Sequence, residues 1–339
     1  MNLGKRIAVD AMGGDGGVSV TVPAAAKALE SIPDLTLNLV GNAALMQPYM
    51  DMLRPELRER LLITHTDVVI ADDDEPGKAL RNAKASSMYI AANMVKDGDV
   101  QAMVSAGNTG ALLMISRHLL KTIEGIQKPA ITATIPGASR QNYLLDVGAN
   151  PECDGQQLFE FAVMGSVLAE SLQGQPPRVG LLNIGAETHK GTEEVRQAAE
   201  LLTACSAINY IGFIEANALF GGDADVVVCD GFVGNMIIKS SAGVATVIKD
   251  LLADQIEKSW LIRLSGWSSN SLLSRLSKQI EPHRFNGASL LGLQGIIVKS
   301  HGNASSEGFF HAIEHTVAEV EKDVPRLIGK KVAAIMAAS

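Results

Sequence analysis

Cysteine is scarce in this chain: three residues in 339, Cys153, Cys205 and Cys229. They lie far apart, with no CxxC pair or Cys/His cluster, so neither a disulfide framework nor a metal site is expected. Each reads as a small apolar residue of the core. Aromatic residues make up only 4%, too few for the stacking platforms that hold single-stranded nucleic acid. Positive charge is in deficit as well: the formal net charge is −8, which disfavours nucleic acid as a partner. No continuous apolar run approaches the ~20 residues of a membrane-spanning helix. The opening MNLGKRIAVDAMGG meets Asp10 before a signal-peptide core can form, so a cytoplasmic protein is expected.

Common catalytic signatures are missing too. There is no GxxxxGKS/T phosphate loop, no GxSxG elbow and no HExxH pair. The early GGDGG does not match GxGxxG with a ribose-binding acid downstream.

What is present is a globular composition, 47% hydrophobic and 19% charged. The 339 residues exceed the roughly 250–300 at which one core stops growing. Two lobes, or one large sheet with an annexe, are expected from that length, and one catalytic α/β domain spanning 1–339 with two lobes around a cleft is the preferred reading. RIAVD, TLNLVG, QAMVS, YLLDVG, VGLLNIG, VVVCDG and GIIVKSHG read as strands covered on both faces. VTVPAAAKALE, GKALRNAKASSMYIAANMVKDG, QQLFEFAVMGSVLAESL and EEVRQAAELLTAC read as the helices between them. This alternation predicts a mostly parallel, doubly wound sheet. The acidic run Asp72–Glu75 reads as a solvated loop feeding charge to a helix N-terminus.

Small polar residues follow six of the strands. They are Asp10, Gly13, Gly14 and Asp15; Ser105, Gly107, Asn108 and Thr109; Asp146, Gly148 and Asn150; Asn183, Gly185 and Lys190; Asp230, Gly234 and Asn235; and His301 with Gly302. Ligands in open α/β sheets bind outside the carboxyl ends of strands, so these loops are expected to line one cleft. Taken singly, each is also ordinary turn chemistry. Free N–H groups from Asn108 to Ala111, at a helix start, suit a phosphate. Lys190 places a cation beside the start of another helix. Asn235 can orient a carbonyl or phosphate, and His301 can donate a proton.

VDAMGGDGG, VSAGNTGALL, LLDVGAN, LLNIGAETHKG, VVVCDGFVGNMIIK and NGASLLGLQGIIVKSHG, in that order, resemble the motifs of the bacterial phosphate acyltransferases, the PlsX family. The resemblance implies a fold similar to the isocitrate and isopropylmalate dehydrogenases and to phosphotransacetylase. It implies transfer of a long-chain fatty acyl group from acyl carrier protein to inorganic phosphate, for phospholipid synthesis, without a cofactor. It also implies a homodimer whose product passes to a membrane glycerol-3-phosphate acyltransferase. On this basis Lys190, Asn235 and His301 are the expected catalytic residues. Asp10, Gly13, Gly14, Asp15, Ser105, Gly107, Asn108, Thr109, Asn150, Asn183, Gly185, Asp230 and Gly234 are the expected phosphate- and substrate-binding residues.

A separate signal lies at 258–280, KSWLIRLSGWSSNSLLSRLSKQI, which has four basic residues, no acidic one and both tryptophans of the chain. Basic residues among Leu and Trp are the composition of an interfacial amphipathic segment. A helical insertion over 255–285 is expected at the dimer interface, at the membrane surface, or at both. Trp260, Leu264, Trp267, Leu272 and Leu273 are its expected membrane contacts. A decarboxylating dehydrogenase, a short-chain acyl-CoA phosphotransacetylase and a non-catalytic carrier-binding scaffold are the alternatives.

Overall fold

The computed structural model describes residues 4–74, 77, 83–136, 141–258 and 286–338. The five expected membrane contacts, Trp260, Leu264, Trp267, Leu272 and Leu273, lie outside the described residues. In chain order the first half carries β1 (Lys5–Asp10), α1 (Val18–Ser31), β2 (Leu35–Gly41), α2 (Ala43–Asp51), α3 (Pro55–Arg58), β3 (Leu61–His65), α4 (Ser87–Asp97), β4 (Ala102–Ser105) and α5 (Thr109–Leu120). Then come β5 (Ala130–Pro136), β6 (Gln141–Leu145), α6 (Gly155–Gln173), β7 (Val179–Leu182), α7 (Glu193–Ala204), β8 (Tyr210–Ile214), β9 (Val226–Val228) and α8 (Gly231–Lys258). The chain returns through β10 (Ala288–Leu291) and β11 (Ile296–Lys299) to α9 (Ser306–Lys322) and α10 (Val324–Ala338).

The strands form one eleven-stranded sheet in the order β3-β2-β1-β4-β11-β10-β5-β6-β9-β7-β8. All seven expected strands are in it. The pairings are parallel except at its centre, where β11–β10, β10–β5 and β5–β6 are antiparallel. Three reversals leave β6, β9, β7 and β8 running opposite to β1, β4 and β11. The sheet is therefore two parallel halves, head to tail, joined by an antiparallel seam.

Both faces are covered, and the pleat sorts the side chains. On β1, Ile7 and Val9 join the cluster with α1, α2 and α9, while Ala8 joins the one with α4 and α5. On β6, Tyr143 and Leu145 face α6, α7 and α10, whereas Leu144 faces Leu219 and the start of α8. Alternation of this kind is why the strands read as near-continuous apolar runs. Helix ends follow local chemistry. α6 opens on an Asp154/Gln157 capping box and closes on Gly174 in the left-handed region, at φ 74°. Of the three cysteines only Cys229 is buried; Cys153 and Cys205 are half-buried at the edge of the second core.

Gly231–Ile248 is long and apolar enough to cross a membrane by length and composition, although it is interrupted by Lys239. Only 11% of it is buried inside the protein. Its first turn, however, is tied to the sheet edge.

Candidate active site

The six polar loops do not leave one edge of the sheet. Strand direction divides them into two groups, one beyond β1, β4 and β11 and one beyond β6, β7 and β9.

In the first group the loops touch directly. Ser105 Oγ donates to Asp10 Oδ2 at 2.7 Å and accepts from Gly107 N at 3.1 Å. Both Ser105 and Asp10 are buried, so the serine is a brace and not an exposed nucleophile. Burial pushes the Asp10 carboxyl above the ordinary carboxylate range, opposed by Ser87, Ser105 and the Met12 amide. A Cβ on Gly13 would stand 2.7 Å from Gly107 N, and one on Gly14, at φ +81°, 2.7 Å from Gly302 O. These glycines serve close backbone approach. Asp15 donates its N–H to Gly302 O at 2.9 Å and leaves its side chain exposed.

Asn108 is the N-cap of α5. Its Oδ1 accepts from Ala111 N at 3.0 Å, and its Nδ2 donates to the carbonyls of Asp72 and Asp74 at 2.9 and 3.1 Å. Asp72–Asp74 of the acidic run thus lie against the start of α5, held through the Asp72 and Asp74 carbonyls. Because the Asn108 amide is fully engaged, the anion-binding capacity here belongs to the N–H groups of Thr109 and Gly110, the first of the helix. His301 has an exposed side chain and a fixed backbone, its N–H donating to Asn286 Oδ1 at 3.0 Å.

The second group is centred on Asp146. Its carboxylate accepts from the N–H groups of Ile131, Gly148, Ala149 and Asn150 and from Asn150 Nδ2, at 2.7–3.2 Å. Burial raises its pKa, and these donors work against the shift. Asn150 also donates to Pro129 O at 2.8 Å, and its carbonyl accepts from Gly231 N at 2.7 Å. Gly234 packs so closely that a Cβ would stand 1.8 Å from Asp146 O. Asp230 caps α8 through Val233 N at 2.8 Å. Asn235, half-buried in the first turn, lies over Gly148.

Beside it, the β7 loop closes on itself. Asn183 Nδ2 donates to Lys190 O at 3.1 Å and Oδ1 accepts from Ile184 N at 2.9 Å. Lys190 Nζ lies 2.9 Å from Glu187 Oε2, and a Cβ on Gly185 would meet both side chains at 2.7 Å. The ammonium holds the Glu187 carboxyl below its usual range. Lys190 and Asn235 therefore present functional groups at one edge, whereas Asn150, Asn183 and Asp230 shape the loops that carry them.

The family model described as "Fatty acid synthesis protein" matches residues 5–327. Over 325 residues the chain is 49% identical to a phosphate acyltransferase of Pseudomonas syringae pv. syringae, covering 96% of each. It is 47% identical over 333 residues to that of Halorhodospira halophila, covering 98% of this chain and 97% of the relative. The chain belongs to the phosphate acyltransferase family. Among solved structures, a phosphotransacetylase from Streptococcus pyogenes shares the fold at TM-score 0.61 and 16% identity, over 95% of each chain. A 4-hydroxythreonine-4-phosphate dehydrogenase from Klebsiella pneumoniae does so at TM-score 0.52 and 14% identity, over 93% of this chain and 99% of that one.

A phosphate acyltransferase needs no covalent acyl-enzyme, since phosphate is itself an anionic nucleophile. Cys229 and Cys153 are poor nucleophiles: burial pushes the Cys229 thiol well up and the Cys153 thiol up to about 12. Ser289, His315 and Glu319 also converge, but not as a catalytic relay. His315 Nε2 lies 2.8 Å from Ser289 Oγ and 2.9 Å from Glu319 Oε1, so one ring nitrogen meets both partners. A relay uses the two nitrogens separately, and Ser289 is 1% exposed. Among the described residues no group of three or more His, Cys, Asp or Glu converges as a metal site.

Sequence reasoning passed over one charged group here. Lys299, at the end of β11, donates to Ala106 O at 3.0 Å beneath the first group of loops. A lysine two residues after the inward-facing Ile297 was the available signal.

Proposed function

We propose that this chain moves a long-chain fatty acyl group from acyl carrier protein to inorganic phosphate, giving acyl phosphate for phospholipid synthesis. The observation that carries the reading is near-full-length identity of 44–49% to phosphate acyltransferases. Phosphate sits against the Thr109 and Gly110 N–H groups, with Lys190 completing its charge. A phosphate oxygen attacks the thioester carbonyl carbon and forms the new C–O bond. Asn235 donates to the developing oxyanion. Collapse breaks the C–S bond, and the departing thiolate takes a proton from His301.

For this reaction the two loop groups, which leave opposite edges of the sheet, must reach one pair of substrates, and the two halves of the sheet are assigned to two lobes. Separate hydrophobic clusters, one under α1 and α9 and one under α6, α7 and α10, support that division. The exposed apolar face of α8, with Phe232, Met236, Val244, Val247 and Leu251, supports a homodimer. The 255–285 segment is the peripheral membrane contact of an otherwise cytoplasmic enzyme. From there the product passes to a membrane glycerol-3-phosphate acyltransferase.

Release of the free carrier thiol from palmitoyl-acyl carrier protein, followed with a thiol reagent, tests the reading. Thiol release should require inorganic phosphate. In Lys190→Ala it should fall by about 10²–10³, the cost of losing one group that stabilises developing charge. Release that ignores phosphate overturns the assignment, and a normal rate in Lys190→Ala removes that residue from the mechanism.

A further inference from the structure

Lys299 lies opposite Ser105 in the register of β11 against β4. Ile296 and Val298 face the core under α1 and α9, and Ile297 faces the core under α4 and α5. Strand periodicity puts Lys299 on the side of Ile297, where its N–H donors need partners. They find two carbonyls, Ala106 O at 3.0 Å and Ser300 O. The first belongs to the loop that opens α5. The second leads into Gly302, whose own carbonyl binds Asp15 N at 2.9 Å. Gly14 is wedged between the same loops, with Gly302 O and Ala106 Cβ at 2.7 and 2.8 Å from where its Cβ would be. One ammonium thus underlies the junction of three loops.

We infer that Lys299 is a positioning residue for phosphate, fixing the start of α5 by pinning the Ala106 and Ser300 carbonyls. The inference rests on reading that helix start as the phosphate site. A carbonyl committed to Lys299 is not turned toward the anion, so the Thr109 and Gly110 N–H groups meet phosphate without an opposing dipole. The charge matters as well as the hydrogen bonds. The carboxylates of Asp72, Asp10 and Asp15 act on the ammonium, and His301 stands two residues along the chain. Without the cation, those carboxylates face an incoming anion unopposed. Burial brings the Lys299 pKa down to about 8 against their attraction, which puts loss of the charge within reach of a kinetic experiment.

The test compares wild type, Lys299→Met and Lys299→Arg. The KM for inorganic phosphate and the KM for palmitoyl-acyl carrier protein are measured separately, from about pH 7 to about pH 10, spanning the value near 8. Lys299→Met should raise the phosphate KM by about tenfold or more, as expected for losing hydrogen bonds to a charged group. It should leave the carrier KM within about twofold. The wild-type phosphate KM should climb above about pH 8. Arginine, whose charge persists, should restore binding near neutrality and keep the phosphate KM level through that range. An unchanged phosphate KM in Lys299→Met, or the same climb in Lys299→Arg, overturns the inference; if the methionine variant does not fold, the arginine profile decides. Protection of the wild type from thermal unfolding by inorganic phosphate alone, lost in Lys299→Met, supports the inference without turnover. A failure of acyl transfer is therefore distinguishable from a failure of this role.

Discussion

Ser105 and Asp10, ninety-five residues apart, are joined by one buried hydrogen bond of 2.7 Å that ties the end of β4 to the end of β1. It fixes the platform from which α5 starts. Asp10 Oδ1 makes no hydrogen bond, and Ser87 and the Met12 amide share the support of the carboxyl with Ser105. Ser105→Ala should cost about 1–3 kcal/mol of stability, the penalty for stranding a buried acceptor. Denaturant titration reads that loss. A stable variant with abolished turnover would instead put the hydroxyl in the chemistry.

Thr109 is the first residue of α5, and Asn108 before it has non-helical backbone, φ −49° and ψ 118°. Proline is tolerated at that position and removes one N–H from the helix start together with the exposed threonine hydroxyl. Thr109→Pro should therefore keep the fold while weakening phosphate binding. One hydrogen bond to a charged group contributes about 1.5–3 kcal/mol, roughly a ten- to hundredfold rise in the phosphate KM. Steady-state kinetics with phosphate varied reads it directly.

Gly234 reads in the sequence as a substrate-binding glycine, and the structure gives it a steric reason. A methyl group 1.8 Å from Asp146 O cannot be absorbed without displacing the loop that five N–H donors hold. Gly234→Ala should lose about 3 kcal/mol or more, at or beyond the upper end of overpacking. The unfolding midpoint should drop accordingly. A midpoint equal to that of wild type would show that the loop and α8 separate at little cost.

Much of the architecture was legible because buried parallel strands are continuous runs of Val, Ile and Leu. The antiparallel seam was not. β5 (AITATIP) and β10 (ASLL) are short or diluted by Thr and Ser, and strand direction is set by partners distant in the chain. That hidden reversal is what separates the six loops into two groups. Asn108, Asn183 and Asp230 read as ligand groups because Gly beside Asn or Asp serves phosphate sites and turns alike; in the folded chain the two amides and one oxygen of Asp230 bind the backbone. Lys299 was readable in principle, since an alternating strand places it on a covered face.

Lys299 also predicts how stability depends on pH. Its folded pKa, about 8, lies below the usual 10.5. Between those values the unfolded chain binds more protons than the folded one, so stability rises with pH. This contribution is complete above about 10.5 and is lost as pH falls through about 8. Wild type should accordingly gain stability relative to Lys299→Met across that interval, read by denaturant melts at each pH. A constant difference would mean that the lysine keeps an ordinary pKa.

The central claim is acyl transfer to phosphate, and trapping the product tests it most directly. Purified protein is incubated with palmitoyl-acyl carrier protein, with and without inorganic phosphate, and hydroxylamine is added to capture acyl phosphate as the hydroxamate. Hydroxamate that forms only with phosphate is the predicted result. No hydroxamate in either arm, with the carrier still bound, would contradict it and make the chain a carrier-binding scaffold.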